Sequence, residues 1–299
     1  MRLDEFYRGD ELQIPVSIEL FPPKTRRGRD ELFERVELMK RFDPKFFSMT
    51  YGAAGSTRDL TLELVSRLQN DVAVETMCHL TVVGQSRDET REILRQLQAM
   101  GVDKLIALRG DPPRGESEFV PHPEGFLHAI ELVREATALG SFSIAVAGFP
   151  ERHPDSTSRE EDLHWLKAKV DAGACLIITQ LFFDNRYYFE LVESLRALGV
   201  EVPVVPGILP IVSVGQVRRF TALCKATIPG EIQDQLSKYV DDDEAATAYG
   251  IELATRQCEA LIAGGAPGIH FYSLNRTQSV EQVLTNLGHF ADPPRSRQR

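Results

Sequence analysis

The sequence is poor in cysteine, and its few cysteines form no motif. There are four in 299 residues, and no two of them make a C-x-x-C pair. Cys78 and Cys175 fall in strand-like stretches, where a thiol behaves as a small buried hydrophobe. This usage argues against a disulfide framework and favours a reduced, cytoplasmic compartment.

Long apolar runs and an excess of positive charge are also absent. No stretch approaches the roughly 18 apolar residues that cross a bilayer. The first residues, MRLDEFYRGD, are charged and carry no apolar leader segment. The formal net charge is −10, which disfavours non-specific binding to nucleic acid. We therefore expect a cytoplasmic protein with no membrane segment, no signal peptide and no nucleic-acid partner.

Several catalytic signatures are missing as well. The seven histidines are scattered, and neither H-E-x-x-H nor a His/Asp cluster indicates a metal site. There is no P-loop and no G-x-S-x-G, and no lysine ends a predicted strand as Schiff-base chemistry would require. No G-x-G-x-x-G follows the first strand, which argues against a doubly wound dinucleotide-binding sheet.

What the sequence does contain is eight β-rich stretches with helical patterns between them. Strand–helix alternation of this kind predicts a parallel sheet. Eight such units in a chain of this length predict a closed (β/α)8 TIM barrel. The β-rich stretches are residues 15–21, 46–52, 74–82, 103–110, 141–149, 176–183, 203–209 and 268–274.

The barrel is expected to form a single α/β domain over residues 1–299. Its core should run from about residue 15 to 290, between a short N-terminal extension and a frayed C-terminal tail. Apolar spacing predicts helices over 88–100, with Asp88 as the cap, and over 159–171. Residues 224–250 should add a helix between strands seven and eight, with the acidic DDDE at a solvated helix start.

Polar residues gather at the ends of the predicted strands, where barrel active sites lie. Glu19 poses the sharpest question, because an ionised carboxylate in an apolar strand costs several kcal/mol unless it is paired or neutralised. An ion pair with Arg109 is the structural explanation, and a protonated catalytic acid is the functional one. For Asp111, His79 and Gln180 the structural alternatives are a loop cap, a core histidine and a hydrogen bond to a neighbouring strand end.

Eight motifs follow one another along the predicted barrel: SIELFPPKT, KFFSMTYGAAGSTRD, HLT, ALRGDPP, FPERHP, KVDAGACLIITQLFFD, VPGILPI and FYSLNR. Together they resemble the bacterial 5,10-methylenetetrahydrofolate reductases, over about residues 15–290. One such motif alone is weak, but eight in order are specific. The resemblance implies a (β/α)8 barrel of one-carbon metabolism that feeds methionine synthesis. It implies reduction of methylene- to methyltetrahydrofolate with NADH or NADPH, and in most members FAD carries the hydride. It also leads us to expect no regulatory domain of the kind that eukaryotic members append.

The resemblance assigns roles to individual residues. Glu19 matches the general acid, which protonates the departing nitrogen so that the folate ring opens to an iminium. Asp111 matches the carboxylate that contacts the pterin and stabilises positive charge there. Among folate contacts, Gln180 matches the amide that pairs with the pterin and Phe220 the stacking aromatic. Arg276 matches a residue near the glutamate tail of folate.

The cofactor positions follow the family with three departures. Phe149 replaces a tyrosine, Trp165 stands where an asparagine is usual, and Ala168 where an arginine that helps hold the phosphates is usual. Two alternatives therefore stay open: FAD carries the hydride, or the nicotinamide passes it directly to the folate iminium. The flavin or nicotinamide positions are Thr50, His79, Leu108, Arg109, Phe149, His153, Asp162, Trp165 and Lys169.

Two other hypotheses compete with this one. A related barrel flavoenzyme acting on another amine or iminium, such as a proline dehydrogenase-like enzyme, would not need the folate contacts of Gln180 and Arg276. A non-catalytic folate-binding member would have no use for Glu19, Asp111 and Gln180 together. No ribose-reading fingerprint separates NADH from NADPH, and the resemblance leaves a homo-oligomer open.

Overall fold

Parallel strands form one sheet that curves into a barrel. The computed structural model describes residues 1–9, 13–51, 57–110 and 120–289. From β1 to β7 neighbours in the sheet follow chain order, and β9 and then β8 lie on the other side of β1. The strands of the described part are β1 (Val16–Leu20), β2 (Phe46–Met49), β3 (Thr76–Thr81), β4 (Lys104–Leu108), β5 (Ser143–Gly148), β6 (Leu176–Thr179), β7 (Val204–Val205), β8 (Gly207–Ile208) and β9 (Ile269–Tyr272).

The seventh predicted stretch forms two short strands, because Pro206 separates β7 from β8. Proline has no backbone N–H to offer a ladder, although its carbonyl still accepts a hydrogen bond from the His270 N–H at 2.9 Å. β7 pairs with β6 and β8 pairs with β9, so the sheet closes across this proline. The predicted (β/α)8 barrel is confirmed, with its seventh strand in two pieces.

Helices surround the sheet and connect successive strands. The described helices are α1 (Arg26–Met39), α2 (Arg58–Asn70), α3 (Arg87–Ala99), α4 (Ala129–Ala138), α5 (Arg159–Asp171), α6 (Asn185–Ala197), α7 (Val214–Cys224), α8 (Gly230–Leu236), α9 (Asp243–Ala263) and α10 (Thr277–Asn286). The bounds of α5 match the predicted helix. The helix expected within 224–250 is α8, and α9 then begins after the capping residue Asp242.

The predicted cap of the third helix was wrong. Ser86, rather than Asp88, caps α3: its Oγ accepts a hydrogen bond from the Glu89 N–H at 3.2 Å, and the Glu89 carboxylate accepts one from the Ser86 N–H at 2.8 Å. This reciprocal capping box needs a serine or threonine three residues before a glutamate. Ser86 satisfies that spacing, and Asp88 lies inside the first turn.

The N-terminal extension closes one end of the barrel. A short 3-10 helix, Asp4–Tyr7, packs Leu3, Phe6 and Tyr7 against inward-facing residues of the strands. The Leu3 N–H donates to Ser143 Oγ on β5 at 2.7 Å. Burying these side chains at the N-terminal ends of the strands leaves the C-terminal ends as the accessible mouth of the barrel.

Candidate active site

Glu19 lies on β1, on the strand face that points into the barrel. In the parallel ladder it stands beside Ser48 of β2 and Tyr272 of β9. Only 7% of its surface is exposed. Burial raises the pKa of Glu19 from 4.5 to about 8, because an ionised carboxylate is disfavoured away from water. The carboxyl is therefore protonated near neutral pH.

The ion pair expected as the structural explanation of Glu19 does not form. Arg109 instead bonds Asp155, with Nη2 and Oδ2 2.6 Å apart. Within the described residues, the basic side chain at ion-pairing distance from Glu19 is His79, whose Nε2 lies 3.6 Å from Oε2. Burial lowers the pKa of His79 to about 3, so this imidazole is neutral. Glu19 and His79 thus meet as two uncharged groups, which supports the functional explanation.

The loop after β9 clamps the end of β1. The Asn275 amide oxygen accepts from the Phe21 N–H and its NH2 donates to the Phe21 carbonyl, each at 2.8 Å. Ser273 Oγ donates to the Glu19 carbonyl at 2.6 Å. Leu274 and Asn275 both have positive φ, 48° and 59°. Asparagine tolerates that conformation better than most residues. The backbone at Glu19 and at Phe21 is therefore held in place.

Beneath Glu19, a buried polar chain crosses the barrel. Tyr7 OH lies 3.2 Å from Ser17 Oγ, and Ser17 Oγ lies 2.8 Å from His270 Nδ1. Burial, with a smaller contribution from His79, lowers the pKa of His270 to about 3. The floor of the site is therefore polar but uncharged. None of these three residues was predicted as part of the site, although inward alternation on β1 and β9 could have indicated Ser17 and His270.

Tyr272 closes the same floor on the β6 side. Its OH donates to the Thr179 carbonyl at 2.6 Å. A Cβ at Gly207 would lie 2.3 Å from that carbonyl oxygen and 2.5 Å from the Tyr272 ring, so only glycine fits there. Tyr272 is a lining residue that the sequence analysis missed. It sits one full inward period beyond His270, which is the signal that could have identified it.

A central cavity of about 320 Å³ opens above Glu19 at the barrel mouth. It collects six of the predicted site residues. Its walls are largely apolar, as a flat heteroaromatic ligand requires. The predicted members are Glu19, Thr50, His79, Leu108, Gln180 and Phe220, and further lining includes Tyr51, Leu209, Leu223, Cys224, Tyr272 and Leu274.

A second, smaller cavity of about 220 Å³, here called the side pocket, lies against α5. It shares a wall with the central cavity: Leu108 and Ala147 line the central cavity, Arg109 follows Leu108, and the Lys169 Nζ donates to the Ala147 carbonyl at 3.2 Å. The predicted cofactor residues in the side pocket are Arg109, His153, Asp162, Trp165 and Lys169, joined by His128, Ala129, Ile130, Asp155, Ser156 and Glu161. The predicted residues thus divide between two adjoining cavities.

Trp165 forms an exposed aromatic wall of the side pocket. Its ring is 42% exposed and stacks on His128, with centroids 5.6 Å apart and planes 24° apart. His153 is held by its neighbours: the His153 N–H donates to Asp162 Oδ2 at 3.0 Å, and its ring packs edge-on against Phe149 at 4.5 Å. Burial, and then the charge of Arg109, lower the pKa of His153.

Carboxylates outnumber cations in the side pocket. Asp155, Glu161 and Asp162 face Arg109 and Lys169. The bond from Arg109 lowers the pKa of Asp155, and hydrogen bonds from Thr157 lower that of Glu161. Burial lowers the pKa of Lys169 to about 8. Asp155 and Glu161 therefore stay ionised at neutral pH.

Three of the described positions singled out in the sequence line neither cavity, and the first of them is Phe149, whose ring packs against His153. Arg276 is exposed at the start of α10 and lines neither cavity. Ala168 is half-buried on α5 and lines neither. Asp111 lies outside the described residues, so its expected contact with the pterin stays a prediction.

Two kinds of feature are absent from the residues that the structure describes. Among them, no group of three or more His, Cys, Asp or Glu side chains could hold a metal ion. No helix in that part of the chain combines the length and apolar character needed to cross a membrane.

Comparisons with known proteins agree with the motifs. A family model described as methylenetetrahydrofolate reductase matches residues 6–288. The chain is 44% identical over 292 residues to a probable methylenetetrahydrofolate reductase (NADH) of Oryza sativa subsp. japonica, covering 94% of this chain and 49% of that protein. It is 34% identical over 276 residues to the 5,10-methylenetetrahydrofolate reductase of Escherichia coli (strain K12), covering 92% and 91%. The chain thus spans about half the length of the plant relative and most of the bacterial one.

A solved structure shares the fold. An uncharacterised protein of Clostridium thermocellum, described as binding two copies of 5-methyl-5,6,7,8-tetrahydrofolic acid, superposes with a TM-score of 0.61 at 14% identity. The match covers 92% of this chain and 94% of that one. At this level of identity the likeness establishes the architecture alone.

Proposed function

Since the chain belongs to the methylenetetrahydrofolate reductase family, we propose that it reduces 5,10-methylenetetrahydrofolate to 5-methyltetrahydrofolate with a reduced nicotinamide nucleotide. The observation that carries the proposal is Glu19: a carboxyl held at the floor of the barrel mouth with a pKa of about 8. Such a group donates a proton at neutral pH, which ring opening of the substrate requires.

Glu19 acts first. Its proton passes to the departing nitrogen of the five-membered ring, the bond from that nitrogen to the methylene carbon breaks, and the other nitrogen becomes an iminium. Hydride then adds to the methylene carbon and gives the methyl group, while the nicotinamide is oxidised. Ionised Glu19 regains its proton from water before the next turnover. The His79 Nε2 lies 3.6 Å from Glu19 Oε2, but this imidazole is neutral and so does not stabilise the ionised form of Glu19.

Two of the residues proposed to contact folate lie at the mouth of the barrel. Gln180 and Phe220 line the central cavity with Glu19, so an amide and an aromatic face are available to a pterin. The Gln180 side-chain oxygen accepts from the Leu181 N–H at 2.8 Å, which leaves its NH2 group to donate. Arg276 is exposed at the start of α10, and its cation would meet the carboxylates of the glutamate tail.

The residues present do not fit a flavin dinucleotide held as a resident cofactor. Ala168 cannot supply the arginine that usually helps hold the phosphates, so a flavin dinucleotide would be held too weakly to stay bound as a resident cofactor. We therefore place hydride transfer directly between nicotinamide and folate iminium, bound together above Glu19.

Absorption and activity measured on one purified sample test this function. We expect no flavin absorbance, together with NADH oxidation that depends on added methylenetetrahydrofolate and needs no added FAD. A stoichiometrically yellow protein would overturn direct transfer but leave the reductase activity standing. NADH oxidation that ignores the folate, or proceeds with another imine instead, would overturn the substrate assignment.

The double variant Trp165→Asn with Ala168→Arg restores the residues usual in the family. It should gain FAD retention through gel filtration, because it regains a phosphate-binding cation. The single variant Ala168→Gln, which adds bulk but no charge, is the matched control and should stay colourless.

A further inference from the structure

We propose that the side pocket binds the adenosine half of the nicotinamide dinucleotide and selects NADH over NADPH. This inference rests on the direct transfer proposed above, because a resident flavin would occupy the same space. The pocket then explains how a chain without a dinucleotide fold holds its hydride donor.

The two cavities are arranged for a two-headed ligand. A nicotinamide bound above Glu19 lies in the central cavity, and the wall beside it is built from Leu108–Arg109 and from Ala147 with Lys169. Arg109 and Lys169 stand on the other side of that wall, at the inner end of the side pocket. A dinucleotide that crosses there carries its diphosphate past these two cations and its second nucleoside towards Trp165.

Trp165 offers the face on which an adenine stacks. Its ring is 42% exposed, and its orientation is fixed by the stacked His128 ring and by an indole N–H directed at Glu161. A preoriented aromatic surface loses little entropy on binding, and stacking of a base on an aromatic side chain contributes about 1–3 kcal/mol. That affinity suits a substrate that must leave after each turnover.

The charge of the side pocket distinguishes a ribose with free hydroxyls from one that carries a 2′-phosphate. Asp155 is neutralised by Arg109. Among the described residues, the donors that bond the Glu161 carboxylate, one helical turn from Trp165, are neutral: the Thr157 N–H and hydroxyl and the indole. A carboxylate near an adenosine ribose accepts hydrogen bonds from its hydroxyls. The same charge repels the 2′-phosphate that distinguishes NADPH, so Glu161 is assigned as the residue that discriminates between the two nucleotides.

Binding is tested directly with ADP-ribose, which carries the adenosine half and no nicotinamide. Trp165 is the single tryptophan of the chain, so its fluorescence reports on this pocket alone. ADP-ribose should quench that fluorescence and compete with NADH in the assay, and 2′-phospho-ADP-ribose should do both more weakly. Competition without any change in the indole signal would place adenosine elsewhere and overturn the inference.

Kinetics of variants give the second test. Trp165→Ala should raise the KM for NADH about tenfold or more. Trp165→Phe, which keeps an aromatic face, should have a KM for NADH close to that of the wild type. The KM for reduced nicotinamide mononucleotide, which lacks adenosine, should not rise in Trp165→Ala. Glu161→Gln should reduce the preference for NADH over NADPH by roughly threefold to tenfold. The matched controls are Leu198→Ala, at a side chain with the same 42% exposure, and Glu193→Gln on α6, because neither residue lines the pocket.

Each failure has a distinct signature. Bound flavin in the purified protein would remove the premise. A colourless, folate-dependent reductase whose Trp165 and Glu161 variants keep the wild-type KM for NADH and the wild-type nucleotide preference would leave the function intact and overturn the adenosine site alone.

Discussion

The two ends of the barrel each bury an ionisable side chain, and they treat it in opposite ways. At the N-terminal end, Lys104 is 1% exposed, yet its Nζ lies 2.5 Å from Glu75 and 2.8 Å from Asp103. Burial alone would lower its pKa, but the bonds from the two carboxylates raise it above the ordinary value. Lys104 therefore stays charged and serves structure.

At the C-terminal end, the residues that the structure describes give Glu19 no such compensation. Its neighbour His79 is neutral, and burial shifts the pKa of Glu19 into the physiological range. Two buried side chains thus behave differently: one is a permanent cation where carboxylate partners are supplied, and the other holds an exchangeable proton where partners are withheld. The comparison teaches that the lack of a charged partner, more than burial itself, distinguishes a candidate proton donor from a structural charge.

Removing the proton donor should produce the largest effect. Glu19→Gln keeps the shape and hydrogen-bonding capacity of the side chain but cannot protonate the substrate. We expect folate reduction to fall by about 100-fold or more. Binding of NADH, followed by Trp165 fluorescence, should persist. Turnover at the wild-type rate in this variant would refute the acid role.

The pH dependence should reflect the raised pKa. Activity should be level near neutrality and fall about tenfold per pH unit above pH 8, where Glu19 ionises. Stability follows the same group: below 4.5 Glu19 is protonated in both states, and between 4.5 and about 8 only the folded state keeps the proton. Stability is therefore lost as pH rises through that window. Chemical denaturation of wild type against Glu19→Gln across the window measures it, and parallel curves would contradict it.

Removing the two carboxylate partners of Lys104 should leave it, like Glu19, buried without a charged neighbour. The double variant Glu75→Gln with Asp103→Asn leaves a buried ammonium without a counter-charge, and unfolding free energy should fall by about 3 kcal/mol. The pH midpoint of activity should not move, because the site lies at the opposite end. Glu63→Gln on α2, a half-exposed carboxylate away from Lys104, is the control.

The clamp at the rim should give the smallest effect. Asn275→Gly keeps the positive φ but removes both hydrogen bonds to Phe21, so urea denaturation should show a loss of about 1–2 kcal/mol. Asn275→Ala should cost somewhat more, because alanine also resists that backbone conformation. Equal losses in the two variants would show that the conformation contributes nothing.

The periodic features of the fold were predictable from the sequence. All eight β-rich stretches contain strands, and α5 begins and ends as expected, because hydrophobic spacing fixes such elements locally. Two details escaped. Pro206 splits strand seven by removing a ladder donor, and Ser86 takes the cap from Asp88 through a reciprocal bond with Glu89.

The site was predictable as a set of residues and less so as a geometry. Six predicted residues meet in the central cavity because strand ends converge. Separation of the cofactor residues into a side pocket, and the pairing of Arg109 with Asp155 instead of Glu19, depend on how loops fold back, which periodicity does not report. The contributions of Tyr7 and His270 require contact between the two ends of the sequence.

The closure of the barrel floor also bears on how the chain is synthesised. The hydrogen bond from Leu3 can form only after Ser143 has been synthesised. The hydrogen bond between Ser17 and His270 can form only when His270, more than 250 residues later, has left the ribosome. β1 therefore stays without its β9 neighbour until residues 269–272 have been synthesised, so this early strand completes its pairing late. Until then one edge of β1 lacks its hydrogen-bonding partner, and Glu19 lacks the surroundings that raise its pKa in the folded protein.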